Sequence, residues 1–483
     1  MDFRNSVKRV MVIILMLFVG LISYIAYFQV FKAPSIAEDQ GNKRLWAKRN
    51  EVLRGTIYDR NGTALTAGEK TGVLTQTRTY TKGDLYCHAL GYVNPKYGLT
   101  GLEDSFDTEL STYSSVGSGY RDFIKNFNVD SLKEIFNDRN NEENKIGNGI
   151  VTTLDPSIQQ AAYNGLKNLG GYKGAAVAIN PKTGEILALV SMPTYDPNNL
   201  DSAMEAANSG KDSSNALINR TLNGKYPPGS TFKTVTTTSA LQNISGIQSR
   251  IFEDNGVLDL GGGFTLPNVK KVANGSIDLK TAFMRSSNVV FGSLALELGN
   301  DKLKETAEKF GFNKDIPATG LSISQSVFPT FKSYEKGLIA QSGIGQSEIL
   351  ATPIQMALVA STIANDGTMM QPKLVNKVVD LNGNTVKEIE TKKYQTVMTK
   401  SEADTIQDYM EGLADNLGLF DGMNAAGKTG TAENSTGKDH SWFIGFAPAD
   451  NPQIAVAVIV ESSGFGAEYA GPIAAQIMQA GIK

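Results

Sequence analysis

The chain is short of the side chains on which much enzyme chemistry rests. Among 483 residues there is one cysteine, Cys87, and two histidines, His88 and His440. A lone cysteine excludes an internal disulfide and any cysteine-built metal cluster. Two histidines leave little room for a mechanism that uses several imidazoles, and no metal or other cofactor is expected. Nor is there an excess of one charge: 46 Lys+Arg against 49 Asp+Glu give a net charge of −3. That balance lacks the broad basic face of a nucleic-acid binder, so no nucleic-acid partner is expected. Disorder is disfavoured, because 41% hydrophobic and 20% charged residues are the proportions of a folded chain. The length exceeds one ordinary domain of about 100–200 residues, so two or three domains are expected. No internal repeat is found.

What the chain does have is one long uncharged run. Residues 10–31 are 22 positions without a charge, preceded by Arg4, Lys8 and Arg9. A membrane-spanning helix needs about 20 apolar residues, whereas the core of a cleavable signal has about 7–15. An uncleaved single-pass anchor is the favoured reading, and a long signal peptide the competing one. Basic residues also follow the run (Lys32, Lys43, Arg44, Lys48, Arg49), so loop charge alone does not orient it. Long domains cross largely regardless of such charge.

The sequence divides into a tail over 1–9, the anchor over 10–31, a small mixed region over 32–150 and a large domain over 151–483. In the small region, Arg54-Gly55-Thr56-Ile57-Tyr58-Asp59-Arg60-Asn61-Gly62 reads as a short strand ending in an Asn-Gly turn. Its charges are expected to be solvated rather than to form a binding cluster. Cys87 is expected to be an inert buried thiol. The polar, aperiodic run 137–148 reads as a linker. Beyond it, helical spacing covers 157–166. Two strands, 175–180 and 185–191, flank a Pro-Lys-Thr-Gly turn. Helices are expected over 278–285 and 288–298, separated by Ser286-Ser287. Thr352-Pro353-Ile354-Gln355 has the form of a capped helix start with a capping box. Near the end, 441–447 and 453–460 are strand-like and 472–480 is helical. Strands at both ends with helices between them predict an α/β domain whose sheet joins distant parts of the chain.

Tyr226-Pro227-Pro228-Gly229-Ser230-Thr231-Phe232-Lys233 puts a hydroxyl three residues before an amine. On a helix that step leaves both on one face, on a strand it separates them. An amine beside a serine can act as the base that a weak hydroxyl nucleophile needs. Ser-x-x-Lys is a cheap pattern and recurs at Ser333/Lys336 and Ser435/Lys438. Lys-Thr-Gly likewise begins at Lys70, Lys182 and Lys428, and Ser-x-Asn at Ser213 and Ser286. Order does the sorting. One set runs nucleophile, then Ser286/Asn288 between helices, then Lys428-Thr429-Gly430-Thr431 ahead of paired strands. The β-branched run Thr234-Val235-Thr236-Thr237-Thr238 disfavours the helix this requires, so packing must impose it.

That ordered triple is the signature of penicillin-recognising serine enzymes, and with the anchor, the Arg54–Gly62 segment, Gly343-Ile344-Gly345-Gln346 and Thr352-Pro353-Ile354-Gln355 the chain resembles a class B penicillin-binding protein. The resemblance implies a transpeptidase domain with a central antiparallel sheet flanked by helices, a small N-terminal pedestal and one transmembrane helix. It departs from the family in a short region between anchor and catalytic domain, and in Ser347, which stands where glycine often follows.

By this resemblance Ser230 attacks the D-alanyl-D-alanine end of a peptidoglycan stem peptide, and Lys233 takes its proton. A lysine begins near pKa 10.4, and bringing it to neutrality costs about 4 kcal/mol. Lys428 is the second cation that would help. Ser286 relays a proton to the leaving amine, and Asn288 orients Lys233 and the substrate amide. Lys428, Thr429, Gly430 and Thr431 hold the terminal carboxylate. Backbone N–H groups of Ser230 and Thr431 form the oxyanion hole. β-Lactams are expected to acylate Ser230. Expected partners are stem peptides, β-lactams, the inner membrane and a membrane glycan polymerase, since 32–150 is too short for a glycosyltransferase. The N-terminus is expected in the cytoplasm and the catalytic domain outside.

Other readings remain open on residues alone. A D,D-carboxypeptidase differs only in the acceptor. A β-lactam sensor or scaffold would need an output that nine cytoplasmic residues cannot supply, and a β-lactamase would need a deacylating carboxylate that is not identifiable. Gly422-Met423-Asn424-Ala425-Ala426-Gly427-Lys428-Thr429 also fits a nucleotide-binding P-loop, which requires a helix after it. His440, near the Lys-Thr-Gly segment, reads as a strand-start residue.

Overall fold

The strands at the two ends of the large domain are apolar at nearly every position rather than at alternate ones, as in a sheet covered on both faces. The computed structural model, which describes residues 3–32, 43–112, 145–209, 214–434 and 437–482, shows that sheet. Its strands are β1 (Gly174–Ile179), β2 (Ile186–Met192), β3 (Ala426–Ala432), β4 (His440–Ala447) and β5 (Ile454–Val460). They lie in the order β3-β4-β5-β1-β2, antiparallel throughout. Sequence-distant halves therefore meet at β5 and β1, where Val458 lies opposite Ala176.

Helices cover both faces. The N-terminal helix α1 (Phe3–Tyr27) stands apart, with the side chains described from Val7 onward exposed and 21 residues long and apolar enough to cross a membrane. Helix α2 (Pro156–Lys167), capped by the Asp155 side chain on the Ser157 and Ile158 N–H groups, packs with α7 (Ala470–Gly481) on one face. On the other face α5 (Pro353–Ala364) is buried along its whole length. Around it stand α3 (Lys233–Asn243), α4 (Asn288–Lys309) and α6 (Lys400–Leu417).

Helix α3 forms despite its β-branched run because nothing in that run faces water. Residues 233–240 are all buried. The threonine hydroxyls donate to carbonyls instead: Thr237 to Lys233 O at 2.7 Å, Thr238 to Thr234 O at 2.9 Å and Thr236 to Gly343 O at 2.8 Å. Tertiary burial outweighs the few tenths of a kcal/mol per residue that propensity withholds.

Three expectations need correction. The helix expected over 288–298 runs on to Lys309, through a break at Gly299 (φ 72°) that periodicity does not register. The capping box at Thr352 is half made. Thr352 Oγ1 accepts from the Gln355 N–H, but the Gln355 side chain donates to Phe310 O at 2.6 Å instead of turning back. A buried carbonyl of a neighbouring helix end claims it. And the charges of the Arg54–Gly62 segment are not all solvated. Arg54 is 5% and Asp59 2% exposed. Asp59 accepts from the Asn61 and Thr63 N–H groups, which shapes the turn. Arg54 binds Glu103 at 2.5 Å and Asp107 at 2.6 Å, while Arg78 binds Glu103 at 2.7 Å.

Cys87 is buried and its thiol is pushed up to about 12 by burial, an unreactive state. Strand Gly149–Thr152 pairs in parallel with Ile57–Tyr58 and antiparallel with Val375–Val379, so sheet pairing runs continuously through residue 150. The polar run 137–148 lies outside the described residues up to 144, as do Ser213 and Ser435.

The buried carboxylate of Glu103 holds two guanidinium groups, so Glu103→Ala is expected to cost about 3–5 kcal/mol by stranding them. Lys96→Ala, which breaks a pair that is 69% and 75% exposed, is expected to leave stability nearly unchanged. Denaturant unfolding of both variants checks the contrast.

Candidate active site

Ser230 sits in a single 3-10 turn, Gly229–Phe232, that runs directly into α3. Two backbone approaches fix that turn. The Gly229 N–H donates to Gly345 O at 2.9 Å, and a Cβ on Gly345 would lie 2.1 Å from Gly229 O, so only glycine fits there. From the sheet side, a Cβ on Gly430 would meet Thr231 Cγ2 at 2.9 Å and Pro228 O at 3.1 Å. Edge strand β3 thus lies flat against the nucleophile turn. Trp442 of β4 donates from Nε1 to Pro227 O at 3.0 Å, and Phe232 is packed by Phe312 and Phe328. The Ser230 side chain is partly exposed, and among the described residues its hydroxyl has no hydrogen-bond partner.

The two motif lysines are both fully buried. Lys233 Nζ lies 2.7 Å from Ser286 O, 2.8 Å from Asn288 Oδ1 and 3.2 Å from Ser286 Oγ. Lys428 Nζ donates to the same Ser286 Oγ at 3.1 Å and to Thr429 O at 3.2 Å. One hydroxyl therefore stands between two amines. Burial first, and then the charge of Lys428, hold the Lys233 amine well below the lysine range, against a weaker pull from Asp254. Burial brings Lys428 down to about 7. The push is one-sided: the charge of Lys428 lowers Lys233, whereas burial alone lowers Lys428. An uncharged Lys233 has two N–H groups for the two carbonyl acceptors and keeps one lone pair for the third contact, the Ser286 hydroxyl. A chain of proton-bearing groups, Lys233–Ser286–Lys428, results.

Ser286 occupies this place at φ +56°, an unfavourable conformation for a non-glycine residue. The flanking helices impose it: the Ser286 N–H donates to Phe283 O at 3.1 Å and the Ser287 N–H to Ala282 O at 2.9 Å. Ser287 Oγ caps α4 by accepting from the Val290 N–H. The same hydroxyl donates to Asp254 Oδ2 at 2.7 Å.

Asp254 is the residue that sequence reasoning missed. It is fully buried and gathers Asn268 Nδ2 at 2.8 Å, Asn274 Nδ2 at 2.6 Å and the Gly256 N–H at 2.9 Å beneath the Ser286–Asn288 corner. Asn268 in turn accepts from the Asn288 N–H at 2.8 Å, and Asn288 Nδ2 donates to Pro267 O at 2.9 Å. Burial alone would raise the Asp254 carboxyl, but these donors hold it below the usual range. No local pattern marks an aspartate thirty-three residues before its partner Ser287, so no sequence signal was available.

Thr429 and Thr431 are partly exposed on β3, two positions apart and so on one face of the strand. The P-loop reading is overturned: 426–432 is a sheet strand paired along its length with β4, and Lys428 is buried in it. Of the other motif copies, Lys182 lies in the β1–β2 turn and Lys70 in a strand of the small region. His440 opens β4 and accepts from the Ser462 N–H at 3.1 Å. Among the described residues no group of three or more His, Cys, Asp or Glu side chains is placed to hold a metal.

A partly exposed serine beside two fully buried lysines, one of them on an antiparallel edge strand, defines a class, and comparison with known proteins agrees. The family model of the penicillin binding protein transpeptidase domain matches residues 174–479, and that of the penicillin binding protein A dimerisation domain matches 54–127. The chain belongs to the penicillin-binding protein transpeptidases, in their class B form. Within the family it is 34% identical to the peptidoglycan D,D-transpeptidase PbpA of Mycolicibacterium smegmatis, over 99% of both chains. It is 31% identical to the PbpA of Mycobacterium tuberculosis, again over 99% of both. The imipenem acyl-enzyme complex of penicillin-binding protein A from M. tuberculosis superposes with a TM-score of 0.80 at 30% identity, covering 90% of this chain and 100% of that one. The D,D-transpeptidase domain of a peptidoglycan glycosyltransferase from Eggerthella lenta gives 0.76 at 33% identity, over 89% of this chain and 98% of that one.

Removing Asp254 strands three side-chain donors, each worth about 1–3 kcal/mol when left unpaired. Asp254→Ala is therefore expected to lose about 3 kcal/mol or more of stability and to slow penicillin acylation. Unfolding midpoints and labelling rates that match the unaltered chain would contradict this.

Proposed function

We infer that the protein is a membrane-anchored peptidoglycan D,D-transpeptidase that works through an acyl-enzyme at Ser230 and is acylated there by β-lactams. The observation that carries this is the pair of buried amines on either side of Ser286 Oγ, one helical turn from a free, partly exposed serine hydroxyl.

The steps follow from the charges. Ser230 Oγ attacks the carbonyl carbon of the penultimate D-alanine, and its proton passes to the neutral Lys233 amine. In the resting geometry Lys233 is held by Ser286 and Asn288, so substrate entry has to bring the Ser230 hydroxyl into reach; such hydrogen bonds commonly tighten only in the complex. The backbone N–H groups of Ser230 and Thr431 take the developing oxyanion, with one such donor worth roughly 3–4 kcal/mol. The Ser230 proton then returns through Ser286 to the departing D-alanine amine. Lys428, with Thr429, Gly430 and Thr431, holds the terminal carboxylate, and binding that anion favours the charged form of Lys428. Asn288 keeps Lys233 in place and meets the substrate amide. An amine from a second stem peptide attacks the ester, forming the crosslink and freeing Ser230.

The division proposed is a cytoplasmic tail over 1–9, an anchor over 10–31, a pedestal over 32–150 and the transpeptidase domain over 151–483, with the catalytic domain on the outer side. Helix α1 supports the anchor. The glycan strands are proposed to come from a membrane polymerase acting alongside.

Intact-mass measurement of the chain with labelled penicillin is expected to give a lasting one-to-one adduct that Ser230→Ala abolishes. A folded chain that forms no adduct would refute the reading, and an adduct that vanishes quickly would point to a hydrolase. The pH dependence is directional. Lys428 lowers Lys233, so in Lys428→Ala the Lys233 amine keeps its proton to higher pH. The acid limb of the acylation rate is expected to move upward, with a larger deficit near about pH 6 than near about pH 8.5. An equal deficit at both would separate Lys428 from the basicity of Lys233.

A further inference from the structure

In the N-terminal region three guanidinium groups meet two carboxylates. Arg54 binds Glu103 and Asp107, Arg78 binds Glu103, and Arg49 binds Asp107. The carboxylate oxygens are fully engaged. Glu103 Oε1 accepts from Arg78 Nε at 2.7 Å and the Tyr80 hydroxyl at 3.4 Å, and Oε2 from Arg54 Nε at 2.5 Å. Asp107 Oδ1 accepts from Arg54 Nη1 at 2.6 Å and Oδ2 from Arg49 Nε at 2.8 Å. Asp104, the neighbouring carboxylate, is exposed and makes no ion pair with these arginines among the described residues.

Its ion-paired groups carry one positive charge in excess, with Asp104 acting on Arg49 and Arg54 only at longer range, and two of its nitrogens, Arg49 Nη1 and Arg78 Nη2, are buried without a hydrogen-bond partner among the described residues. The Arg78 side chain is 6% exposed. An unpaired buried donor costs about 1–3 kcal/mol, and more on a charged group, so proteins seldom leave one without a purpose. Both arginines line a cavity of about 310 Å³, bounded by Trp46 and Tyr80 on one side and by Asn198 and Leu200 of the transpeptidase domain on the other. It shares no residue with those assigned to Ser230 chemistry.

We propose that this cavity is a binding site for a small molecule carrying a carboxylate or phosphate group, whose oxygens accept from Arg49 Nη1 and Arg78 Nη2. Each guanidinium N–H gives such an oxyanion a charge-assisted hydrogen bond, and one negative charge balances the ion-paired groups of the cluster. The body of the ligand rests against Trp46 and Tyr80. Two sources offer this chemistry. One is the carboxylate of a soluble muropeptide. The other is a phospholipid headgroup, since Trp46 in the cavity wall follows Phe31, the last residue of the proposed anchor, by only fifteen positions.

Trp46 is one of only two tryptophans, which makes the site directly observable. The full-length protein in detergent is titrated with inorganic phosphate, and separately with acetate, at constant ionic strength while tryptophan fluorescence is followed. The expected result is a saturable change that Trp46→Phe removes and that Arg49→Gln weakens about tenfold or more. Arg49→Gln leaves both carboxylates paired with Arg54, and retained penicillin labelling checks that the variant is folded. Arg78→Gln is expected to abolish the response. Competition by phosphatidylglycerol nanodiscs assigns the site to lipid phosphate, and competition by an N-acetylmuramyl peptide assigns it to a soluble carboxylate. No saturable change with either probe up to about 10 mM, or a change of equal affinity in Arg49→Gln, overturns the proposal.

Discussion

Two lysine amines kept out of water on either side of one hydroxyl are the constraint from which most of this structure follows. Neither amine would surrender its proton in solvent, and a single cation of ordinary lysine pKa could not serve as a base near neutrality. Burial supplies the push for both, and the charge of Lys428 adds to it for Lys233. That arrangement demands an enclosing scaffold. The edge of the sheet brings Lys428, a buried helix brings Lys233, and a corner between two helices brings Ser286 in a conformation it would not adopt alone.

The enclosing parts are correspondingly intolerant of added volume. The strand carrying Lys428 reaches the serine turn only where Gly430 leaves room for Thr231 and Pro228, and the Gly343–Gln346 segment closes over the turn only through Gly345. Beneath the Ser286–Asn288 corner lies a fully buried aspartate whose donors are all amides, a hydroxyl and a backbone N–H. It opposes the depression of Lys233 slightly, yet holds the corner together. Geometry has been placed ahead of the last increment of basicity.

Much of this was legible before the fold was known, because order along the chain discriminates where single motifs do not. Three copies of Ser-x-x-Lys and three of Lys-Thr-Gly were sorted by context alone, and the strands and helices around them fell close to their expected places. The rest depends on encounters that no local pattern records. Asp254 and Asn268 act on Ser287 and Asn288 only after a hairpin folds beneath them. The Gln355 side chain answers to Phe310 O, not to its own helix start. Arg54 reads as a surface charge until Glu103 arrives from forty-nine residues away. Helix α3 is the clearest case, since its threonines favour a strand until every one of them is enclosed.

The position of β5 in the sheet has a consequence for how the molecule comes into being. It lies third of five in space but last of the five in the chain, between β4 and β1. Until residues 454–460 have been synthesised, β1 and β2 form a hairpin with one long edge open. The catalytic centre can then be completed only when nearly all of the polypeptide has emerged. Pairings of such long sequence separation form slowly. The strand that carries Lys428 therefore waits, with β4, for the last strand of the sheet before it is joined to the half of the domain that carries β1 and β2.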